Sequence, residues 1–546
     1  MIRIATARAF AAAVALCSLP MILVGQEQQA PARRLEAAAL AAEAEHREEH
    51  VRELIARLTD PNLELRTTAA EQLVEVGLPA ARGVPIYIEN LRNTSPEVQQ
   101  IVIRALGGYG MKASAATPGL IRLLEDSGAA GFVREESARS LTKIGAQLSD
   151  VVASMGRVIS NANTVFSIRL TVVEALGQIG SAAQADIVPI EQLLGDPATP
   201  LRCTAFSVLG RIQGPALSAV SIQSVAQLPP KQSSRAFAVL QRQPAQASAD
   251  LPALVSLAGQ TTNTYLRCAA IETLGLVKPA RRNSVEVLLR AVGDPDDYIS
   301  QLAVHALETA GTVDPSSVAV LASSLHDPQV RIRIEAARAL GRTAAGVQAV
   351  DITPAVPALV DALVRSDNQT SYEEIDSYLD ALSAMGGRGA SAANVLVAAL
   401  GPASKILSGR GAFYVSYLGA HFLVTLGDIK APTAVALPLA LRALRGDDPY
   451  WFAAGAKLAG SMGPPAQDTL PLLIQALDPS RPDHYIMLSF LMHTSIKLEV
   501  IRALSRMGPA AAAAVPALEA ISTSGAGLPY NQEAQAAMKA IRVSSP

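Results

Sequence analysis

Between Val318 and Gly341 the chain reads VAVLASSLHDPQVRIRIEAARALG, a complete helical hairpin whose pattern recurs before and after it. Val318, Leu321 and Leu325 fall at helical spacing, and Asp327-Pro328 then stops the helix, because proline lacks an N–H and disfavours helix at the residue before it. A second helix is expected with Val330, Ile334, Ala337 and Leu340 on one face. Its small Ala336 and Ala337 allow close helix approach. Gly341 is expected as a left-handed C-terminal cap.

Such hairpins recur as LTDPNLELRTTAAEQLVEVG (Leu58 to Gly77), LLGDPATPLRCTAFSVLG (Leu193 to Gly210), YLRCAAIETLG (Tyr265 to Gly275) and AVGDPDDYISQLAVHALETAG (Ala291 to Gly311). A period of about 30 to 40 residues is the signature of a stacked solenoid. The Asp-Pro turn, the Leu/Ile-Arg opening of the second helix, its central Ala or Ala-Ala and the closing Leu-Gly resemble the HEAT-repeat family, in particular the short bacterial type named after relatives in phycobilin lyases. The resemblance implies an all-α fold, an α-α superhelix of HEAT-like hairpins. Composition agrees with it: 50% of the 546 residues are hydrophobic, only 4% are aromatic, and Ala, Leu and Val dominate, which suits helix packed on helix. No Ser/Gly-rich linker or charge run divides the chain after its N-terminal segment, so one array over residues 51–546 is expected. The net charge of −2 gives no electrostatic reason to expect nucleic acid.

At the N-terminus, Arg3 and Arg8 precede the apolar run FAAAVALCSLPMILVG, which gives way abruptly to QEQQAPARR. Residues 1–26 therefore read as a secretory signal peptide, and an exported, periplasmic or extracellular protein is expected. Cleavage is less well defined: Leu23 stands where a small residue is wanted before Gly25, and Ala30-Pro31-Ala32 has the required form further on. An uncleaved anchor is the alternative, and only then would the chain contact a membrane. Leu16 before Cys17 does not fit a lipoprotein signal. Residues 27–50 read as a linker and the start of a polar N-terminal capping helix, which continues to Leu58.

Pro118, Pro189, Pro252, Pro357, Pro438, Pro471 and Pro516 are expected in the first turns of helices, where proline is best tolerated. From Gly214 to Asp250 the pattern weakens and a degenerate repeat is expected. A longer unit spans Gly389 to Gly427, and a C-terminal capping helix spans Asn531 to Ile541. Asp60 with Arg66, Asp196 with Arg202 and Asp327 with Arg333 share one spacing. The resemblance implies a carboxylate–guanidinium ladder between the turns of neighbouring repeats. An anion-binding stripe is the alternative. Cys203 and Cys268 occupy the same slot about two repeats apart, too far for a disulfide if packed helices sit about 8–10 Å apart. They are expected to be reduced and buried.

The seven histidines form no metal-binding motif, His46 and His50 reading best as solvent-exposed, and no nucleophile elbow, phosphate loop or dinucleotide fingerprint is present. No residue is singled out as catalytic, cofactor-binding or metal-ligating, and no cofactor is expected. Two readings follow: a non-catalytic scaffold that binds a protein partner, favoured, and an enzyme or enzyme subunit on a solenoid, as the lyase resemblance would imply. The partner site is expected where the chain departs from its aromatic-poor composition, among Phe413, Tyr414, Tyr417, Phe422, Tyr450, Trp451, Phe452, Tyr485 and Phe490, with Arg445 close by. Tyr414, Tyr417, Tyr450, Trp451, Arg445 and Tyr485 are the residues chosen. Counted from the Asp-Pro turn, Trp451 takes a core slot at the helix mouth from which its ring could project, and Phe452 takes an outward slot.

Overall fold

The structure, a computed structural model, describes residues 48–543 except 94, 146, 214–224, 347–349, 482, 487–488, 492–493 and 524–527. The expected signal peptide and nearly all of residues 27–50 lie outside the described residues. The chain divides after Ile179 into two compact units. In each, short first helices alternate with longer second helices, and successive second helices pack on one another. The second helices are α1 (Leu63–Glu75), α2 (Pro96–Gly108), α3 (Gly131–Ile144) and α4 (Phe166–Ile179) in the first unit. In the second unit they are α5 (Thr199–Gln213), α6 (Pro230–Arg242), α7 (Thr264–Leu276), α8 (Asp297–Ala310), α9 (Val330–Ala345), α10 (Tyr372–Met385), α11 (Ala412–Asp428), α12 (Pro449–Met462), α13 (Ile496–Met507) and α14 (Leu528–Val543). The chain is thus the expected all-α solenoid of hairpins, with α14 covering the expected C-terminal cap.

Half of the second helices begin where a short polar side chain takes a free backbone N–H, that of Asn62, Ser95, Asn263, Asp296, Ser371, Asp448 or Ser495, whereas α3, α6, α9 and α11 start without such a cap. Leu73, Leu106, Leu141, Leu274, Leu340, Leu382 and Leu504 are fully buried near the other ends. Return to the next first helix commonly runs through a left-handed glycine and a 3₁₀ stretch. Gly110, Gly386, Gly463 and Gly508 have φ of 57°, 57°, 66° and 57° and open the segments that lead into the next first helix.

Four expectations are corrected. Gly341 is not a cap: it lies inside α9 against Ala381 of α10. Gly210, Gly275 and Gly460 are likewise helical, and a Cβ there would meet backbone of the next second helix at 2.3 to 2.8 Å. The motif glycine is therefore mainly a close-approach residue, and left-handed caps such as Gly145 are a separate class.

The Arg ladder also takes another form. Arg66, Arg202 and Arg333 each donate from Nη1 to the main-chain carbonyls of the Asp-Pro turn in their own repeat, Arg333 at 2.8 Å to Asp327 and 3.1 Å to Pro328. The Asp carboxylate is occupied elsewhere, accepting from the N–H two residues on. Each Arg thus satisfies main-chain carbonyls of the turn that joins the two helices of its repeat. Arg267, at 2.5 Å from Asp294 in the following turn, makes an inter-repeat pair of the kind expected.

Pro438 lies inside the Thr433–Arg445 helix, whose first turn starts after Pro432, whereas Pro118, Pro189, Pro252, Pro357 and Pro471 do sit at N1 or N2. Finally, Cys203 and Cys268 are joined in a disulfide with Cα atoms 6.0 Å apart. The weak repeat explains why the spacing argument failed. Ser234, in the second turn of α6, abuts Gly210 late in α5. The N-terminal halves of α5 and α7 then meet directly, with Phe206 stacked on Tyr265 at 4.8 Å.

One departure had no counterpart in the sequence reading. The turn before α13 is replaced by residues 478–495, which carry a two-residue antiparallel pair, β1 (Tyr485–Ile486) and β2 (Thr494–Ser495).

Candidate functional site

On α10, Tyr372, Asp376 and Asp380 follow at intervals of four, and on α11 so do Phe413, Tyr417 and His421. Residues four apart share a helix face, and because α10 packs on α11 these two rows meet. Tyr417 donates its hydroxyl to Asp376 Oδ2 at 2.6 Å, and His421 Nδ1 lies 2.8 Å from Asp376 Oδ1. Nε2 of His421 sits 3.2 Å from Asp380 Oδ1, an ion-pair contact off the line of a hydrogen bond. Phe490 from the 478–495 segment closes this cluster. Its ring stacks on the His421 imidazole at 4.2 Å with 3° between planes and meets Tyr417 edge-on at 5.4 Å. Lys457 Nζ donates to the Phe490 carbonyl at 2.9 Å and ties the segment to α12.

His421 is fully buried. Burial, the largest influence, disfavours its charge, but hydrogen bonding and attraction from Asp376 and Asp380 outweigh it, so its pKa is raised and the imidazolium is favoured. Burial, then Asp376, pushes the Tyr417 hydroxyl far above its ordinary value, and it stays a donor. Both imidazole nitrogens face carboxylates, which leaves neither directed at a substrate. The arrangement is a fixed polar cross-link between α10 and α11.

This cross-link supports a surface of rings. Tyr372, Phe413 and Tyr414 are 49%, 58% and 41% exposed, unusual for large apolar side chains in this protein. They touch in series: Tyr372–Tyr414 centroids are 5.7 Å apart, Phe413–Tyr414 5.6 Å, Phe413–Tyr417 6.1 Å and Phe413–Tyr450 6.3 Å.

The structure brings Tyr414, Tyr417 and Tyr450 into this surface and places the other three residues of the expected site elsewhere. Trp451 is half-buried; its indole covers Gly419 of α11 so closely that a Cβ there would lie 2.3 Å from the ring. Arg442 lies over its other side, 5.3 Å from the centroid. Trp451 thus packs in its core slot and does not project. Phe452, expected to face outward, is half-buried and with Arg445 lines a cavity of about 530 Å³ between α12 and the 478–495 segment. Tyr485 is 65% exposed on β1. Tyr372, Asp376, Asp380 and His421 were missed. The signal available was the shared four-residue period of Tyr/Asp/Asp and Phe/Tyr/His in consecutive second helices.

Among the described residues no group of three His, Cys, Asp or Glu side chains could hold a metal, and no helix is long and apolar enough to cross a membrane. The family described as HEAT repeats matches residues 251–341 and 285–371. Among solved structures, the chain is similar to importin beta, at 12% identity and a TM-score of 0.47, covering 95% of this chain and 77% of that one. It is also similar to Kap121p, at 15% identity and a TM-score of 0.43, over 90% of this chain and 53% of that chain, and to Kap121p bound to Pho4p, at 15% identity and a TM-score of 0.45, over 88% and 51%. The chain thus spans about half the length of Kap121p. No curated protein matches it.

Proposed function

We propose that this chain is an exported, non-catalytic HEAT-repeat scaffold of the short bacterial type, and that it binds a protein partner through the ring surface on α10 to α12. The exposed, contiguous Tyr372–Tyr414–Phe413 row carries the reading. Rings that large lose apolar burial by facing water, and Tyr and Phe supply rigid contact area at little entropic cost when a partner covers them. The pair of partly buried Asp376 and buried His421 beneath holds the row in place without depending on the partner. Export is supported by the ordered N-terminal series in the sequence and by the Cys203–Cys268 disulfide, a bond that persists in oxidising compartments.

A photo-crosslinking residue at position 414 of the full chain, expressed in its native cell, tests the site. One dominant adduct is expected, and it should disappear in the Tyr372→Ala/Phe413→Ala variant while helical content is unchanged. The same adduct at full yield in that variant would refute the site. For export, mass spectrometry of native protein should find a start between Gln26 and Arg33. Intact Met1 in soluble cytoplasm would refute it.

A further inference from the structure

The cavity beside α12 has a chemistry distinct from the ring surface. Its apolar wall is Leu444, Phe452, Leu472 and Ile496, and its polar members include Arg445, Arg481, His484 and Asp447. Among the described residues, the side chains of Arg445 and Arg481 make no hydrogen bond or ion pair. Three other guanidinium groups of this unit show what such a group takes when a partner is in reach: Arg333 holds Glu374, Arg410 holds the carbonyls of Asp367 and Thr370, and Arg502 holds Glu499 and Glu533. Of the acids nearest Arg481 in sequence, Asp483 accepts from the Lys497 N–H and the Tyr530 hydroxyl, and Asp478 is held below its ordinary pKa chiefly by hydrogen bonds from Ser480, with Arg481 a lesser influence. The side chain of His484 is likewise unbonded and exposed; its carbonyl accepts from Ile496.

We propose that this cavity binds a carboxylate carried next to an apolar side chain, as at the C-terminus of a polypeptide. Two guanidinium groups without an acidic partner match a carboxylate in charge and in planar donor geometry. The Phe452 ring with Leu444, Leu472 and Ile496 supplies the surface for the adjoining side chain. Asp447 in the same lining lowers the net positive charge, which favours a monoanion over a phosphate dianion. The volume of about 530 Å³ is that of a small-ligand site and holds a terminal residue or two.

The test uses the purified full chain and calorimetric titration with four probes: N-acetyl-phenylalanine, its C-terminal amide, phenyl phosphate, and an octapeptide ending in phenylalanine with a free carboxylate. The acid is expected to bind at least about tenfold more tightly than the amide and than phenyl phosphate, the margin of one charge-assisted contact. The octapeptide should bind at least as well as the acid. Arg445→Gln and Arg481→Gln should each weaken the acid about tenfold with no change in the circular dichroism spectrum, since neither side chain bonds to the fold. Equal binding of acid and amide, tighter binding of phenyl phosphate, rejection of the octapeptide, or no binding would each overturn the proposal. Tyr372→Ala/Phe413→Ala should leave all four titrations unchanged, so that failure here is separable from failure of the ring-surface reading.

Discussion

Alanine at Gly275 and alanine at Gly341 are the same change at the same place in the repeat motif, yet they should move stability in opposite directions. Both glycines lie within a helix, where Ala is favoured over Gly by about 1 kcal/mol. At Gly341 the new methyl would find Ala381 atoms at 3.4 to 3.9 Å, ordinary contact, so Gly341→Ala should be stabilising by up to about 1 kcal/mol. At Gly275 it would lie 2.8 Å from both Cα and the carbonyl oxygen of Ala306. Those are backbone atoms of α8 and cannot rotate away. Overpacking of this kind costs about 1–3 kcal/mol, which leaves Gly275→Ala about 0–2 kcal/mol destabilising after the propensity gain. The two variants should therefore differ by about 1–3 kcal/mol. A repeat array need not unfold in one step, so urea unfolding should be read with amide hydrogen exchange on peptides from α7–α8 and α9–α10. Stabilisation at both sites would refute the view that the glycine sets helix approach.

Four further outcomes are expected. Cys203→Ala/Cys268→Ala should lower the stability of the second unit in urea by up to about 4 kcal/mol, the entropic limit for a loop of this length, and thiol titration of the unreduced, denatured protein should find neither cysteine free. His421 has a folded pKa raised above its unfolded value, so its stabilisation is complete below about pH 6.5 and is lost as pH rises through the folded pKa; urea midpoints should fall over that window, and His421→Gln should flatten the fall. Arg333→Ala leaves the buried Glu374 without its ion pair and should cost about 3 kcal/mol, whereas Arg202→Ala, which loses contacts to carbonyls and Thr199 only, should cost about 1 kcal/mol per bond lost in the same denaturation assay. Trp451→Ala should destabilise by about 2 kcal/mol or more because its ring covers Gly419, while exposed Phe413→Ala should stay within about 0.5 kcal/mol in thermal melts.

Local rules were legible because each repeat is built from local contacts. Asp-Pro marked the turn, the 3.6-residue apolar period marked the helices, and Leu340 with its counterparts marked the core. What failed depended on a neighbour. A glycine reads the same in sequence whether it relieves a positive φ or admits Ala306, and only the next helix decides between them. Arg333 was correctly tied to the Asp-Pro turn, but sequence spacing cannot distinguish a carboxylate from the carbonyl on the same residue. The aromatic enrichment lay on α11 and α12 but did not show which rings touch: Trp451 was taken in by Gly419, and the rows 372/376/380 and 413/417/421 meet only because α10 and α11 face each other. Arg445 and Tyr485 were grouped with the rings by proximity in sequence alone.

The disulfide between α5 and α7 changes how damage travels through the second unit. In a plain stack, melting one hairpin severs everything before it from everything after it. Here α6 can loosen without that result, because Cys203–Cys268 and the Phe206–Tyr265 stack carry α5 onto α7 directly, and Thr199 reaches past both to Asp296 at the start of α8 with a 2.5 Å hydrogen bond. The weakest repeat is wired in parallel with a covalent bypass, so its fraying need not propagate to either side.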